Sequence, residues 1–300
     1  MNNEGVIMKN KILTGYLFVI LSAVIFGFMP LMAKYIYNDG VNPITLVFLR
    51  NAISVPVLAL LVVASRNTLK INVKAIPAVS VIAIFGCCAT PLLLFSSYNY
   101  ISSGTATVFH FIYPAFVVLV ELFTRRTKAT VSNILSIVVC AVGIIMFYTP
   151  GQPLHPLGSL IALTSGITYA VYVLLLSAFK YREISGFRFS FYVALICSAV
   201  LFVVCLLSKN LMLPKSAFGW GMSIFFALVL NVGAVVLFQK GTFIIGGGKA
   251  SVLSTFEPIT SILAGTLILG EPFGVRTAIG TVLVILASVL ISLRDIIKKK

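Results

Sequence analysis

Hydrophobic and polar positions alternate along this chain in long blocks. Apolar runs of about 20 residues, the length that crosses a bilayer, are separated by short polar breaks. The turn-rich stretches NDGVNP (38–43), TPGQPLHP (149–156) and GEPFG (270–274) mark three of these breaks. The pattern predicts an all-α polytopic membrane protein with ten transmembrane helices, at 12–36, 43–64, 75–97, 103–123, 130–148, 157–178, 187–208, 217–238, 249–269 and 275–294.

Composition supports lipid as the solvent of this protein. The chain is 60% hydrophobic and 10% charged, whereas soluble domains are about a quarter charged. All the cysteines lie within apolar runs without metal-ligand spacing, which indicates small buried side chains and no disulfide or metal site. They are Cys87, Cys88, Cys140, Cys197 and Cys205.

The net charge of +15 is that of many nucleic-acid-binding proteins, but its distribution indicates membrane orientation. Counted over the breaks between predicted helices, 17 Lys and Arg fall on one side of the membrane and 5 on the other. Cytoplasmic loops carry the excess of cations, and both termini lie on the side with 17. Both termini are therefore predicted to be cytoplasmic. The predicted location is the cell membrane, with no nucleic-acid partner.

The two halves of the chain resemble each other at a nearly constant offset. SSGTATVFHFIYPAFVVLVELF (102–123) aligns with GGGKASVLSTFEPITSILAGTL (246–267), which pairs Pro114 with Pro258. The pattern predicts one repeat over 1–148, a second over 157–294 and a basic cytoplasmic tail over 295–300. Since five helices are an odd number, the repeats are predicted to be inverted, a signature of alternating-access transporters.

With its ten predicted helices, its two repeats and the stretch EPITSILAGTLILGE (257–271), the chain resembles the EamA type of the drug/metabolite transporter superfamily. The first repeat departs from this resemblance at Thr127, where a second glutamate would fall. The resemblance implies a carrier of small solutes over the whole chain. Members of this family carry amino acids, nucleobases, sugars or cations, so the resemblance does not fix the substrate.

Glu257 is the main candidate for chemistry, because it lies near the middle of a predicted helix, where an ionised carboxylate is costly. We expect it to bind substrate and to carry a coupling proton. The alternative is a protonated or ion-paired Glu that only ties helices together. Pro114 and Pro258 are the predicted hinges, since proline removes a backbone donor from a helix.

Further candidates for substrate contact are identified by their depth and by the repeat offset. His110 pairs with Ser254, and Tyr113 pairs with Glu257, so we expect Tyr113 and Glu257 to face one cavity. Aromatic side chains at corresponding positions and an isolated polar residue complete the set: Phe26, Tyr169, Tyr172 and Asn231. For the aromatic residues the alternative is ordinary packing, and for His110 it is a hydrogen bond to a neighbouring hydroxyl.

Three further charged residues are predicted to be structural. Arg50 and Arg188 lie near the starts of predicted helices, where pairing with carbonyls or snorkelling to the surface explains them; anion binding is the alternative for these arginines. Glu271 is expected at the external surface, solvated and near a helix N-terminus.

These observations together favour an alternating-access carrier that exports amino acids or related metabolites, with the proton as candidate coupling ion. The alternatives are an importer of a nucleobase, sugar or quaternary amine, and a channel or structural membrane protein. No nucleophile elbow, zinc-protease motif or P-loop is present, so we expect no enzymatic activity and no cofactor. The expected partners are the small-molecule substrate, the lipid bilayer and protons, with the chain as a monomer or homodimer.

Overall fold

The computed structural model describes residues 3–123, 131–146, 155–179, 184–245, 250, 253–271 and 273–297. Within these ranges the chain is helical and contains no strand. The α-helices are α1 (Asn3–Gly27), α2 (Met29–Asn38), α3 (Pro43–Ala64), α4 (Ile76–Ala83), α5 (Thr90–Ser97), α6 (Ser103–His110), α7 (Tyr113–Phe123), α8 (Val131–Ile145), α9 (Pro156–Ser177), α10 (Gly186–Leu207), α11 (Ala217–Phe226), α12 (Val236–Ile245), α13 (Phe256–Leu269) and α14 (Val275–Ile297).

Six segments of the described chain are long and apolar enough to cross a membrane, and they make this a multi-pass membrane protein. They are Ile12–Asn38, Pro43–Ala64, Val73–Ser97, Pro156–Leu176, Gly186–Leu207 and Ala217–Ile245. The apolar stretches Phe256–Leu269 and Val275–Ala287 are shorter. The predicted count of ten therefore stays a prediction. Residues 149–154, Thr127 and the last three residues of the predicted tail lie outside the described residues.

Several helix starts follow directly from capping side chains. Asn42 precedes α3, and its side-chain oxygen accepts a hydrogen bond from the Thr45 N–H at 2.8 Å. Ser185 and Ser216 cap α10 and α11 in the same way. Such residues satisfy backbone donors that have no partner within the helix, which is why these boundaries lie within two residues of the predicted ones.

Three helices that the sequence predicts to be continuous are interrupted in the structure, so the prediction was wrong on this point. The first is interrupted at Phe28, between α1 and α2, and the fourth at Phe111 and Ile112, between α6 and α7. In the ninth, a turn at 254–255 precedes α13. Pro114 and Pro258 lie in the first turn of the helices that follow, where a missing N–H costs nothing. The prolines therefore begin new helices and do not loosen continuous ones.

Two other spans stay continuous but change their winding. A π-helical segment, Ile84–Ala89, joins α4 to α5, and a second, Ala227–Val235, joins α11 to α12. At the offset of 144 the first segment falls inside the second. The eighth predicted helix was also too short, because the span continues to Ile245 and does not end at 238. Single π turns inside α-helices are rare and occur often at functional sites.

Close helix packing at small residues holds the bundle together. A side chain at Gly143 of α8 would approach the Gly280 carbonyl of α14 at 2.9 Å. A side chain at Gly241 of α12 would approach the Gly15 carbonyl of α1 at 3.0 Å. Because lipid provides no hydrophobic driving force between helices, association depends on such close backbone approach.

Candidate functional site

A cavity of about 50 Å³ lies where the interrupted helices and a π segment meet. Most of its wall is apolar or aromatic, with a few polar groups among these side chains. The lining residues are Phe26, Met29, Arg50, Gly86, Cys87, Thr90, Pro91, Leu94, His110, Tyr169, Tyr172, Val235, Phe238 and Glu257.

Glu257 presents a buried carboxyl to this cavity. It lies in the first turn of α13, and its N–H donates to the Ser254 carbonyl at 2.9 Å across the turn that precedes the helix. The residue is 7% exposed. Among the described residues, no hydrogen bond or ion pair reaches its carboxyl oxygens. A buried carboxyl without a protein partner is suited to accept a proton or to pair with a cationic ligand.

His110 ends α6 and is oriented by a serine of α9. Its Nδ1 lies 2.9 Å from the Ser165 hydroxyl, which itself donates to the Ala162 carbonyl at 2.6 Å. Because a hydroxyl has one hydrogen, Ser165 accepts from the His110 Nδ1–H. In the neutral imidazole the Nε2 atom then carries a lone pair, so a neutral His110 offers a hydrogen-bond acceptor to the cavity that it lines.

Arg50 is held by a buried amide network. Its Nε donates to Asn231 Oδ1 at 3.0 Å. The Asn231 amide nitrogen in turn donates to the Arg50 carbonyl and to Asn51 Oδ1, each at 3.0 Å. The guanidinium also lies 5.9 Å from the centre of the Phe95 ring, within cation–π range. This arrangement fixes one edge of the guanidinium and leaves the residue lining the cavity.

Aromatic rings form one wall of the site. Tyr169 is the centre of this group, with ring centroids 5.1 Å from His110 and 5.4 Å from Tyr172. Phe238 lies 6.4 Å from Tyr172. Tyr113 is behind this wall, in edge contact with Tyr169 at 4.7 Å. Such rings suit a ligand that has an apolar portion.

The predicted site residues are therefore brought together only in part. Phe26, His110, Tyr169, Tyr172 and Glu257 line the cavity. The other predicted contacts do not: Tyr113 supports the aromatic wall, Asn231 holds Arg50, and Ser254 donates to the carbonyl of Ala250 in the preceding turn.

The two remaining residues predicted to be structural lie away from the cavity. Arg188 donates to the Lys70 carbonyl at 3.2 Å in the loop before α4. Glu271 binds the start of α6, and with a side chain that is 10% exposed it is not solvated as expected. Both therefore hold loops and helix ends together.

The sequence did not predict part of the cavity lining, nor that Arg50 lines the cavity and is held there by Asn231. The π segment places Gly86 and Cys87 in the wall, and Phe238 enters from the part of the eighth span beyond Asn231. No pattern in the sequence predicts a π segment. Arg50 lines the cavity. This is the position that Arg50 would need for anion binding, the alternative to its predicted structural role. No group of three or more metal-binding side chains occurs in the described part of the chain.

Comparison with known proteins identifies the family. The model of the EamA-like transporter family matches residues 13–149 and again residues 156–293. The chain belongs to the EamA-like transporter family. The resemblance inferred from the sequence is thereby confirmed.

Relatives at low identity span most of the chain. It is 24% identical to the uncharacterized transporter YcbK of Bacillus subtilis, over 89% of this chain and 88% of the relative. It is 26% identical to the uncharacterized inner membrane transporter YicL of Salmonella typhimurium, over 74% and 75%. A crystal structure with 16% identity superimposes on 95% of this chain and 99% of its own, with a TM-score of 0.66, which shows a shared fold. This EamA-like protein is therefore a membrane transporter by family.

Proposed function

We propose that this protein is an alternating-access carrier that exports amino acids across the cytoplasmic membrane, with a proton bound at Glu257 as the coupling ion. In this proposal ten helices form two inverted five-helix repeats, and both termini are cytoplasmic. The proposed cytoplasmic side carries 17 Lys and Arg and the other side carries 5, and this difference supports that orientation.

The observation that carries the proposal is the pair of opposite charges in one cavity. Arg50 and Glu257 both line it, and no hydrogen bond or ion pair joins them. A free amino acid carries a carboxylate and an ammonium group. The guanidinium is suited to bind the carboxylate, and the Glu257 carboxyl is suited to bind the ammonium group. The aromatic side chains in the same cavity lining favour an amino acid with an apolar or aromatic side chain.

The interrupted helices support the transport mechanism. α6 ends at His110, and α13 begins one residue before Glu257, so two helix breaks lie at the charged part of the cavity. Discontinuous helices at a central site are a feature of transporters built from repeats. The breaks let half-helices on one side of the cavity move without distorting the other side.

Glu257 has the setting that a coupling group requires. A buried carboxyl that has no protein partner is more stable when protonated or when it faces a cation. Binding of the substrate ammonium would favour release of the proton, and loss of the substrate would favour its return. This competition couples substrate movement to a proton gradient in the opposite direction.

Transport in proteoliposomes tests this proposal. The purified protein is reconstituted, and exchange of labelled L-phenylalanine is measured across a range of pH on both sides of the membrane. The wild-type protein should show saturable exchange that a proton gradient accelerates. Glu257→Gln should exchange substrate without response to the gradient, because the amide carries no proton that titrates.

Asp39→Asn is the matched control, since Asp39 lies outside the cavity and caps the start of α11 through the Lys215 and Ser216 N–H groups at 2.7 and 3.0 Å. It should retain the wild-type response. A Glu257→Gln protein that still responds to the gradient would remove the proton role. Conductance without saturation in the wild type would favour a channel.

A further inference from the structure

A second carboxylate, Glu271, forms a polar cluster at the opposite end of α13 from the cavity. Its carboxyl forms an ion pair with Lys34 of α2. It also accepts hydrogen bonds from the Ser103 hydroxyl at 2.7 Å, from the Ser103 N–H at 3.2 Å and from the Gly104 N–H at 3.2 Å. The carboxylate thus satisfies the first backbone donors of α6 and a neighbouring cation.

The local sequence explains how Glu271 reaches this position. Gly270 ends α13 in the left-handed region, at φ 64°, and the Glu271 N–H returns to the Gly265 carbonyl at 3.0 Å. This turn folds the carboxylate back along α13 towards α6. A side chain on Gly265 would approach Glu271 Oε2 at 2.6 Å. Two glycines therefore make room for and direct one carboxylate.

The cluster joins three helices that each reach the cavity at a break. α2 begins with Met29, which lines the cavity, directly after the break at Phe28. α6 ends at His110, and α13 begins beside Glu257. A further contact between Thr107 and Ser261, with their hydroxyl oxygens 3.1 Å apart, links α6 to α13 between the cluster and the cavity.

We propose that Glu271, Lys34 and the start of α6 form a latch that holds α2, α6 and α13 together and closes the cavity towards the external side. The breaks at Phe28, at Phe111 and at 254–255 let these three half-helices move relative to their continuations, so that they part from one another when the latch opens. Opening the latch frees a path to the cavity from outside. This inference rests on the proposed carrier function, but its test does not require a transported substrate.

Accessibility of Cys87 measures the latch directly. Cys87 lines the cavity, and Cys88, Cys140, Cys197 and Cys205 are replaced by alanine to leave it as the single thiol. A membrane-impermeant maleimide is added to the outside of intact cells, and the rate of Cys87 labelling is measured. Glu271→Gln should raise that rate at least tenfold, because the amide has no charge to hold Lys34 and the start of α6. Lys34→Gln should raise the rate by a smaller factor, because Glu271 still accepts hydrogen bonds from the start of α6.

Asp39→Asn is the control, because Asp39 follows α2 at the same end and bonds to the start of α11 instead of α6. Its labelling rate should stay within twofold of the parent protein. Equal labelling of Glu271→Gln and the parent would overturn the latch. Equal acceleration by Asp39→Asn would also overturn it, because general loosening of the external loops would then explain the effect.

Hydrogen exchange is measured in proteins that keep all native cysteines, so this second test does not depend on the folding of the single-cysteine variant. Peptides from α2 and α6 should exchange faster in Glu271→Gln, whereas those from α3 and α10 should be unchanged. Uniform protection in both proteins would contradict the proposal. Faster Cys87 labelling without exchange of labelled L-phenylalanine would retain the latch and remove L-phenylalanine as the substrate. Active exchange with unchanged labelling would remove only the latch.

Discussion

Asn231→Asp tests whether the Arg50 guanidinium binds the carboxylate of the substrate. In the wild-type protein a neutral amide accepts from Arg50 Nε at 3.0 Å. The aspartate would place a carboxylate at the same position, where it pairs with the guanidinium. The positive charge offered to a ligand is then largely neutralised, although the volume of the side chain hardly changes.

The size of the effect follows from the geometry. A substrate carboxylate bound at the outer edge of the guanidinium lies about 7 Å from the new carboxylate, and at an effective dielectric constant near 20 the repulsion is about 2 kcal/mol. That energy corresponds to a loss of affinity of roughly thirtyfold. Asn231→Ala removes all three hydrogen bonds of the Asn231 side chain without adding a charge, so its affinity should fall only a few-fold while its thermal stability decreases.

The assay is the concentration dependence of labelled L-phenylalanine exchange in proteoliposomes, with the melting temperature of each variant measured alongside. An Asn231→Asp protein with the half-saturation concentration of Asn231→Ala would show that Arg50 does not bind the substrate carboxylate, because the added charge would then have no effect on the ligand. A wild-type protein that exchanges no amino acid at all would refute the substrate class.

Two predictions concern stability at the end of α13. Gly270→Ala places a side chain at φ 64° and should cost about 1 kcal/mol, or about 2–4 °C in the thermal midpoint; Gly274→Ala, whose side chain would meet nothing within 4 Å, is the control and should change little. Burial alone raises the pKa of the Glu271 carboxyl, but the hydrogen bonds from Lys34 and Ser103 outweigh it and hold the pKa below its ordinary value. A lowered folded-state pKa gives stability that is complete above the ordinary carboxyl value and is lost as the pH falls through the folded-state pKa. Thermal melts of Glu271→Gln should therefore lose less stability than the wild type between about pH 5 and 3, and parallel curves for the two proteins would contradict this.

The sequence predicts those parts of the fold that depend on local patterns. The helix at 43–64 agrees with α3 because Asn42 and Pro43 are local start signals. The family could also be recognised from the sequence, because the stretch EPITSILAGTLILGE and the repeat offset are visible in it. Glu257 and His110 were identified from polarity and depth alone, and both line the cavity.

The breaks and the long-range contacts were not predictable in this way. The apolar runs continue through Phe28 and Phe111, so hydropathy does not register the interruptions there. Arg50 and Asn231 are 181 positions apart, and Glu271 is 168 positions from Ser103. Only the packing of the bundle brings these pairs together, and no repeat offset relates their members. The placement of Arg50 in the cavity wall and the burial of Glu271 therefore became visible only in the structure.

Counterflow distinguishes a carrier from a channel and tests whether Arg50 takes part in transport. Proteoliposomes preloaded with unlabelled L-phenylalanine are diluted into a trace of the labelled amino acid without any proton gradient. The proposed carrier function predicts transient accumulation of label above its equilibrium level, with saturation at high concentration, and loss of this accumulation in Arg50→Met. Equilibration without overshoot, or an overshoot that Arg50→Met leaves intact, would contradict it.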